Sequence, residues 1–176
     1  MGRSKALLEV EGTTLIEWLA ERLAPGFEEL RVAAREASQL PPGLRPRLVA
    51  DTRPGAGPLA GIEAGLAVAR YPTVVVVACD MPYVTSELTG RLVEAAQGHD
   101  AAVPRVGERV EPACAAYRRS AAAPITAALE AGDLRLADAL AALRVAWLEG
   151  EDPALFTNLN TPGDYRAFLA ATRKTR

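Results

Sequence analysis

The chain has 176 residues, of which 49% are hydrophobic and 24% charged, with a formal net charge of −2 from 20 basic and 22 acidic side chains. These are the values of one globular domain able to bury about two-thirds of its unfolded surface, and they exclude a disordered or fibrous chain. The near balance of charge argues against a surface dominated by nucleic-acid binding, and the longest apolar run falls far short of the roughly 20 residues that cross a bilayer.

In chain order, the N-terminus MGRSKALLEVEG has no signal-peptide core, and Ala6 breaks the N-myristoylation pattern that Gly2 would open. The expectation is a cytoplasmic enzyme or binding domain. "TTLIEWLAERLA" (13–24) places Leu15, Ile16, Leu19 and Leu23 on one helical face. "ELRVAA" (29–34) reads as a strand, and so does "RLVAD" (47–51), which ends on Asp51. "TRPGAGP" (52–58) is a turn-rich loop, and "LAGIEAGLAVAR" (59–70) a helix of small residues. "TVVVVACDMP" (73–82) is a strand of four valines that closes on Asp80, and "TSELTGRLVEAAQG" (85–98) a helix with Thr85 or Ser86 as N-cap. Alternating strands and helices imply a mostly parallel sheet covered on both faces, where a strand need not alternate polar and apolar residues. Beyond residue 100, "DAAVPRV" and "RVEPACAAYR" read as strands around a "VGER" turn, "AAPITAALEAG" and "LRLADALAAL" as helices, "RVAWLEG" as a last strand and "TPGDYRAFLAATR" as a C-terminal helix. No repeat, low-complexity stretch or linker divides the chain, so residues 1–176 are expected to form a single domain.

Cys79 and Cys114 form no C-x-x-C pair; Cys79 reads as a small apolar packing residue, while "PAC" (112–114) and Tyr117 read equally as substrate-side lining or as core packing. His99, the only histidine, lies in a turn-like "QGHD", and one histidine cannot build a zinc site.

Ligands of open parallel sheets bind beyond the carboxyl ends of the strands. Two strands deliver an aspartate there. A carboxylate just past a buried strand keeps its hydration on a rigid base, which suits a magnesium ion. Asp51 reads equally as such a ligand or as a turn cap; Asp80, stiffened by the following Met81-Pro82, is the stronger site residue. An aspartyl-phosphate phosphatase is excluded, since the acid/base aspartate it needs two residues on is here Pro82. The loop "GAGPLAG" (55–61) feeds a helix start, where free N–H groups and the helix dipole receive anions, and Gly55, Gly57 and Gly61 permit close backbone approach or positive φ. A plain turn explains the loop equally well. Lys5 is a cation suited to phosphate chemistry or simply a solvated lysine. Asn158 and Asn160 share one side of an extended segment, while Thr161, Pro162 and Asp164 read as helix-start residues.

"MGRSK", "GPLAG", "CDMP", "EPACAAYR" and "NLNTPGDY", in this order and at these separations, resemble the molybdenum cofactor guanylyltransferase (MobA) family from residue 1 to about residue 170. The resemblance implies a three-layer, Rossmann-like α/β nucleotidyltransferase that transfers GMP from GTP to molybdopterin and releases pyrophosphate. It implies magnesium held by Asp80, a nucleotide pocket containing Gly2, Lys5, Asp51 and Asp80, and acceptor contacts from Gly57, Gly61, Asn158 and Asn160. Lys5 and Asp80 are the implied catalytic residues, and other cofactor-biosynthesis proteins and molybdoenzymes the implied partners. The family pattern opens on a strand and a loop close to L-A-G-G-x-S-x-R-M-G-x-x-K. This sequence starts at the Met of that Met-Gly, so a sheet lacking that strand is expected to show unpaired backbone groups. Family members often carry Asn-Arg after the second strand, where this chain has Ala34-Arg35. Two other readings stay open: a molybdopterin cytidylyltransferase, and a non-catalytic nucleotide- or pterin-binding domain.

Overall fold

The valine run can bury branched side chains on both of its faces, and the fold is built around that property. In the computed structural model, which describes residues 4–51, 53, 55–132 and 135–173, Thr73–Val77 form strand β5. (The first two strands, β1 at Glu9–Val10 and β2 at Thr13–Thr14, make a small hairpin, and β3 and β4 are Val32–Ala34 and Leu48–Ala50.) Val74 and Val76 pack with Leu59, Ile62 and Leu66 of helix α2 (Pro58–Val68) and Ile125 and Leu129 of α4 (Ala122–Ala131). Val75 and Val77 pack with Leu19 and Leu23 of α1 (Leu15–Leu23) and Leu88 and Leu92 of α3 (Ser86–Ala95) on the opposite face. Helices on both sides of a sheet give three layers, the Rossmann-like class expected.

β5 pairs antiparallel with β8 (Cys114–Arg118), and β8 pairs antiparallel with β6 (Ala101–Val106). β9 (Val145–Leu148) then adds parallel to β6, and the short β7 (Arg109–Val110) folds back on it. Because β8 opposes both its neighbours, β5, β6 and β9 all point the same way, with β8 the reversed strand among them. β3 and β4 form a separate parallel pair. Among the described strands, β3 pairs only β4 and β5 pairs only β8, so each keeps one free edge. The same helices nevertheless cover both units: α2 touches β3, β4 and β5, while Ile16 and Ala20 of α1 pack on the cluster of Val32, Leu40 and Leu44. Every residue of β5 remains half-buried although both its faces are covered, so its exposure lies along that edge.

Local chemistry sets the element ends. α1 begins at Leu15 because Thr14 and Glu17 form a reciprocal capping box. β3 is shorter than its apolar pattern, since its partner β4 begins only at Leu48, after the 3₁₀ turn Pro42–Arg47, and pairs it from Val32 onward. The "RVEPACAAYR" stretch splits into β7 and β8, with the Cys114 N–H returning to Glu111 O. "LRLADALAAL" yields only the short α5 (Leu136–Ala139) and a 3₁₀ turn. Thr85 caps α3 by accepting from the Leu88 N–H. Cys114 is fully buried in the core and Cys79 half-buried; burial raises both thiol pKa values, that of Cys114 to about 12. His99 is held by its own turn through Nδ1 against Gln97 O.

Candidate active site

Three chain segments meet at the carboxyl end of β5. The strand ends at Val77, and a turn closed by the Met81 N–H to Ala78 O presents Asp80 at the rim. Met81, nearly fully buried, pins that turn to the core. The Leu159 N–H donates to Asp80 O at 2.8 Å and so ties the N-x-N segment to the same turn. From the N-terminal side, Lys5 on the 3₁₀ turn Lys5–Leu7 donates through Nζ to Asp80 Oδ2 at 3.0 Å and to Asn160 Oδ1 at 2.7 Å. The Lys5 and Asp80 side chains are 31% and 24% exposed, so this cationic bridge is reachable from solvent.

Asn160 is itself oriented. Its N–H and that of Thr161 donate to Asp164 Oδ2, and Thr161 Oγ1 accepts from the Asp164 N–H, a capping box at the start of α6 (Pro162–Thr172). These backbone and hydroxyl donors, with Lys5 adding a smaller effect, hold the Asp164 carboxyl below the usual range. Asp164 is thus the helix-start residue its sequence context indicates, and through that role it fixes a site residue. Burial, reinforced by the Asp164 charge, raises the Tyr83 phenol, whose ring stacks edge-to-face on Phe168.

Beside this bridge lies a cleft of about 540 Å³ lined by Val106, Arg109, Phe156, Asn158 and Asn160, among others. Asn158 Oδ1 is buried and has no hydrogen-bond partner among the described residues. Asn158 and Asn160 therefore differ: one amide oxygen is taken by Lys5, the other is free to accept.

Of the other predicted site residues, Asp51 and Gly57 lie between β4 and α2, and Gly61 lies within α2. Asp51 follows β4 and accepts the Arg53 N–H at 2.8 Å, the turn-capping geometry; among the described residues no hydrogen bond or ion pair links it to Lys5, Asp80 or Asn160. Gly57 is the N-cap of α2 with φ +69°, a conformation that favours glycine, and Pro58 occupies the first turn. Gly61 faces β3, where a Cβ would reach the Ala33 Cβ at 3.4 Å, in van der Waals contact. Gly2 lies outside the described residues. The sequence reading missed Arg109 and Glu111 of the β6–β7 hairpin; the one signal was the alternation of charge in "ERVE".

Residues 1–149 match the family described as "MobA-like NTP transferase domain". A molybdenum cofactor guanylyltransferase of Cereibacter sphaeroides is 36% identical over 176 residues, covering 98% of this chain and 90% of the relative. The crystal structure of molybdopterin-guanine dinucleotide biosynthesis protein A from Archaeoglobus fulgidus superposes with a TM-score of 0.82 at 29% identity, covering 98% of this chain and 92% of that one. A 2-C-methyl-D-erythritol 4-phosphate cytidylyltransferase from Thermus thermophilus superposes at 0.73 with 28% identity, covering 96% and 94%.

Proposed function

The chain belongs to the MobA-like NTP transferase family, and we propose that residues 1–176 act as one nucleotidyltransferase domain that transfers GMP from GTP to molybdopterin. An oxygen of the acceptor's terminal phosphate attacks the α-phosphorus of GTP. The bond from that phosphorus to the oxygen bridging the β-phosphate breaks, and pyrophosphate leaves with the bonding pair. The names of the similar proteins support the substrates, and one observation carries the reading: Lys5 Nζ is held at the sheet rim between Asp80 and Asn160.

Both reactants are anionic, so the site must hold two phosphates together against their repulsion. Lys5 places an ammonium where the attacking and leaving groups meet, and neutralises charge that grows on them. Asn160 fixes the direction of that ammonium, and Asp164 fixes Asn160. In this reading Gly2, Lys5, Asp51 and Asp80 serve the nucleotide and Gly57, Asn158 and Asn160 the acceptor, whereas Gly61 packs against β3.

A magnesium ion fits the donor set. Magnesium binds through one or two protein carboxylates and takes its other ligands from water and phosphate. Asp80 supplies the rim carboxylate; among the described residues its one side-chain donor is Lys5, so acceptor positions remain for an ion. Among the described residues no group of three or more His, Cys, Asp or Glu could hold a metal ion by itself. When bound, it would stabilise charge on the phosphates.

The test is pyrophosphate release from GTP, molybdopterin and magnesium, with thermal stabilisation by GTP measured against CTP. Turnover with GTP supports the reading, and silence with retained pterin binding would reduce the protein to a binding domain. A cytidylyltransferase is the second reading, favoured by the likeness to the Thermus thermophilus enzyme; stabilisation by CTP alone would establish it. No helix among the described residues is long and apolar enough to cross a membrane, and the proposed setting is the cytoplasm, with molybdoenzymes and other cofactor-biosynthesis proteins as downstream partners.

A further inference from the structure

The cleft beside the Lys5 bridge carries a charged device that the chemistry above does not use. In the β6–β7 hairpin Arg109 lies opposite Val106 and Val110 opposite Arg105. Side chains alternate along extended chain, so Arg109 and Glu111 share one face while Val110 packs into the core cluster of the other. Glu111 is anchored by its own backbone: its N–H donates to Pro104 O at 3.0 Å, and its carbonyl accepts from the Cys114 N–H at 2.9 Å. Its side chain is only 8% exposed, whereas that of Arg109 is 60% exposed. Oε1 of Glu111 is paired with Arg109 Nε but has no aligned hydrogen bond. Burial pushes the Glu111 carboxyl up, and the Arg109 charge opposes that shift.

A buried carboxylate is costly unless it is well paired, and the arginine it meets stands in solvent at the cleft. Ion pairing through Nε leaves the terminal nitrogens of the guanidinium fork without a hydrogen-bond partner among the described residues. A fork held from behind by a fixed carboxylate is pre-set for bidentate recognition of an anionic oxygen pair. In the same cleft, Asn158 Oδ1 waits as a buried acceptor. One cleft thus offers a fork for a phosphate and an amide oxygen for an N–H group.

We propose that Arg109 is a recognition residue for the acceptor substrate, gripping its phosphate monoester while Asn158 accepts an N–H of its heterocycle, and that Glu111 is the positioning residue that aims Arg109. The assignment rests on the reading of a phosphorylated pterin as acceptor. Arg109→Gln is expected to weaken equilibrium binding of molybdopterin, followed by its own fluorescence, by about tenfold or more, with the GTP thermal shift unaffected. In turnover the loss falls on KM for molybdopterin rather than on kcat or on KM for GTP. Glu111→Gln keeps shape and removes the charge; a smaller rise in the same KM, at a melting temperature near that of the parent, identifies positioning rather than folding. Arg109→Lys restores only part of the affinity, because a point charge lacks the fork. Unchanged molybdopterin binding in Arg109→Gln overturns the proposal, as does an equal rise in KM for GTP. If GTP gives no thermal shift but acceptor binding still depends on Arg109, the guanylyltransferase reading fails while this one stands.

Discussion

Two aspartates stand at opposite rims of one sheet. Asp80 follows the carboxyl end of β5, and Asp100 precedes the amino end of β6, which runs the same way. Asp100 accepts from Ser120 Oγ at 2.6 Å and from the N, Nε and Nη2 of Arg144 at 3.0, 3.1 and 2.9 Å. Its backbone also bonds Arg118 and Arg144, so a single residue staples the start of β6 to the end of β8 and the approach to β9. The Arg144 and Ser120 hydrogen bonds hold its carboxyl far below the usual carboxylate range. Among the described residues Asp80 accepts from one side-chain donor, Lys5. A carboxylate has about four acceptor positions. Where they are filled by the fold the residue is structural, and where most are open beside a cation it is available to ligands.

Substitutions can break that contrast or sharpen it. The largest effect is expected for Asp80→Ala: pyrophosphate release falls about a thousandfold, ~4 kcal/mol of barrier, while thermal unfolding moves by less than about 1 kcal/mol because the Lys5 pair is partly exposed. Retained turnover would refute the metal-ligand role. Lys5→Met follows, with a loss of about a hundredfold, ~2.7 kcal/mol, again without a comparable change in melting. Asp100→Ala should do the reverse, lowering unfolding free energy by about 1.5–3 kcal/mol as charged hydrogen bonds are lost and leaving kcat intact. Its stabilising effect has a defined pH window. The folded pKa lies below the unfolded value near 3.9, so the contribution is fully present above about pH 4 and disappears as pH falls toward the folded pKa. Asp100→Asn should therefore flatten the acid limb of the stability curve, measured by denaturant melts between about pH 2 and 5. The smallest effect is expected for Gly57→Ala, about 1–2 kcal/mol of stability from forcing a side chain to φ +69°. Equal melting losses at positions 80 and 100 would erase the distinction.

The site was legible where it depends on local rules. Four valines and a terminal aspartate announce a covered strand with a rim carboxylate, and two asparagines at a spacing of two announce a shared face. Thr161, Pro162 and Asp164 announce the helix start that orients Asn160. What the sequence could not disclose depends on partners remote along the chain. "CAAYR" reads as a strand, but nothing within it says that it runs backwards between β5 and β6, because register is fixed by pairing. Asp51 obeys the same strand-end pattern as Asp80, yet its carboxylate turns to the Arg53 N–H at its own loop. Arg109 and Glu111 look like ordinary surface charges until the hairpin puts them on one face and the core closes over the second.

The free edge of β5 leaves a trace that amide hydrogen exchange can read. The flanking bonds from the Ala78 N–H to Ala113 O and from the Arg119 N–H to Pro72 O set the phase of the β5–β8 ladder. By that phase Val74 and Val76 donate toward β8, whereas Val75 and Val77 turn their N–H groups to the unpaired side. Four chemically identical neighbours should then exchange at alternating rates, slow at 74 and 76 and at least about tenfold faster at 75 and 77, and any strand that came to lie along that edge would erase the alternation.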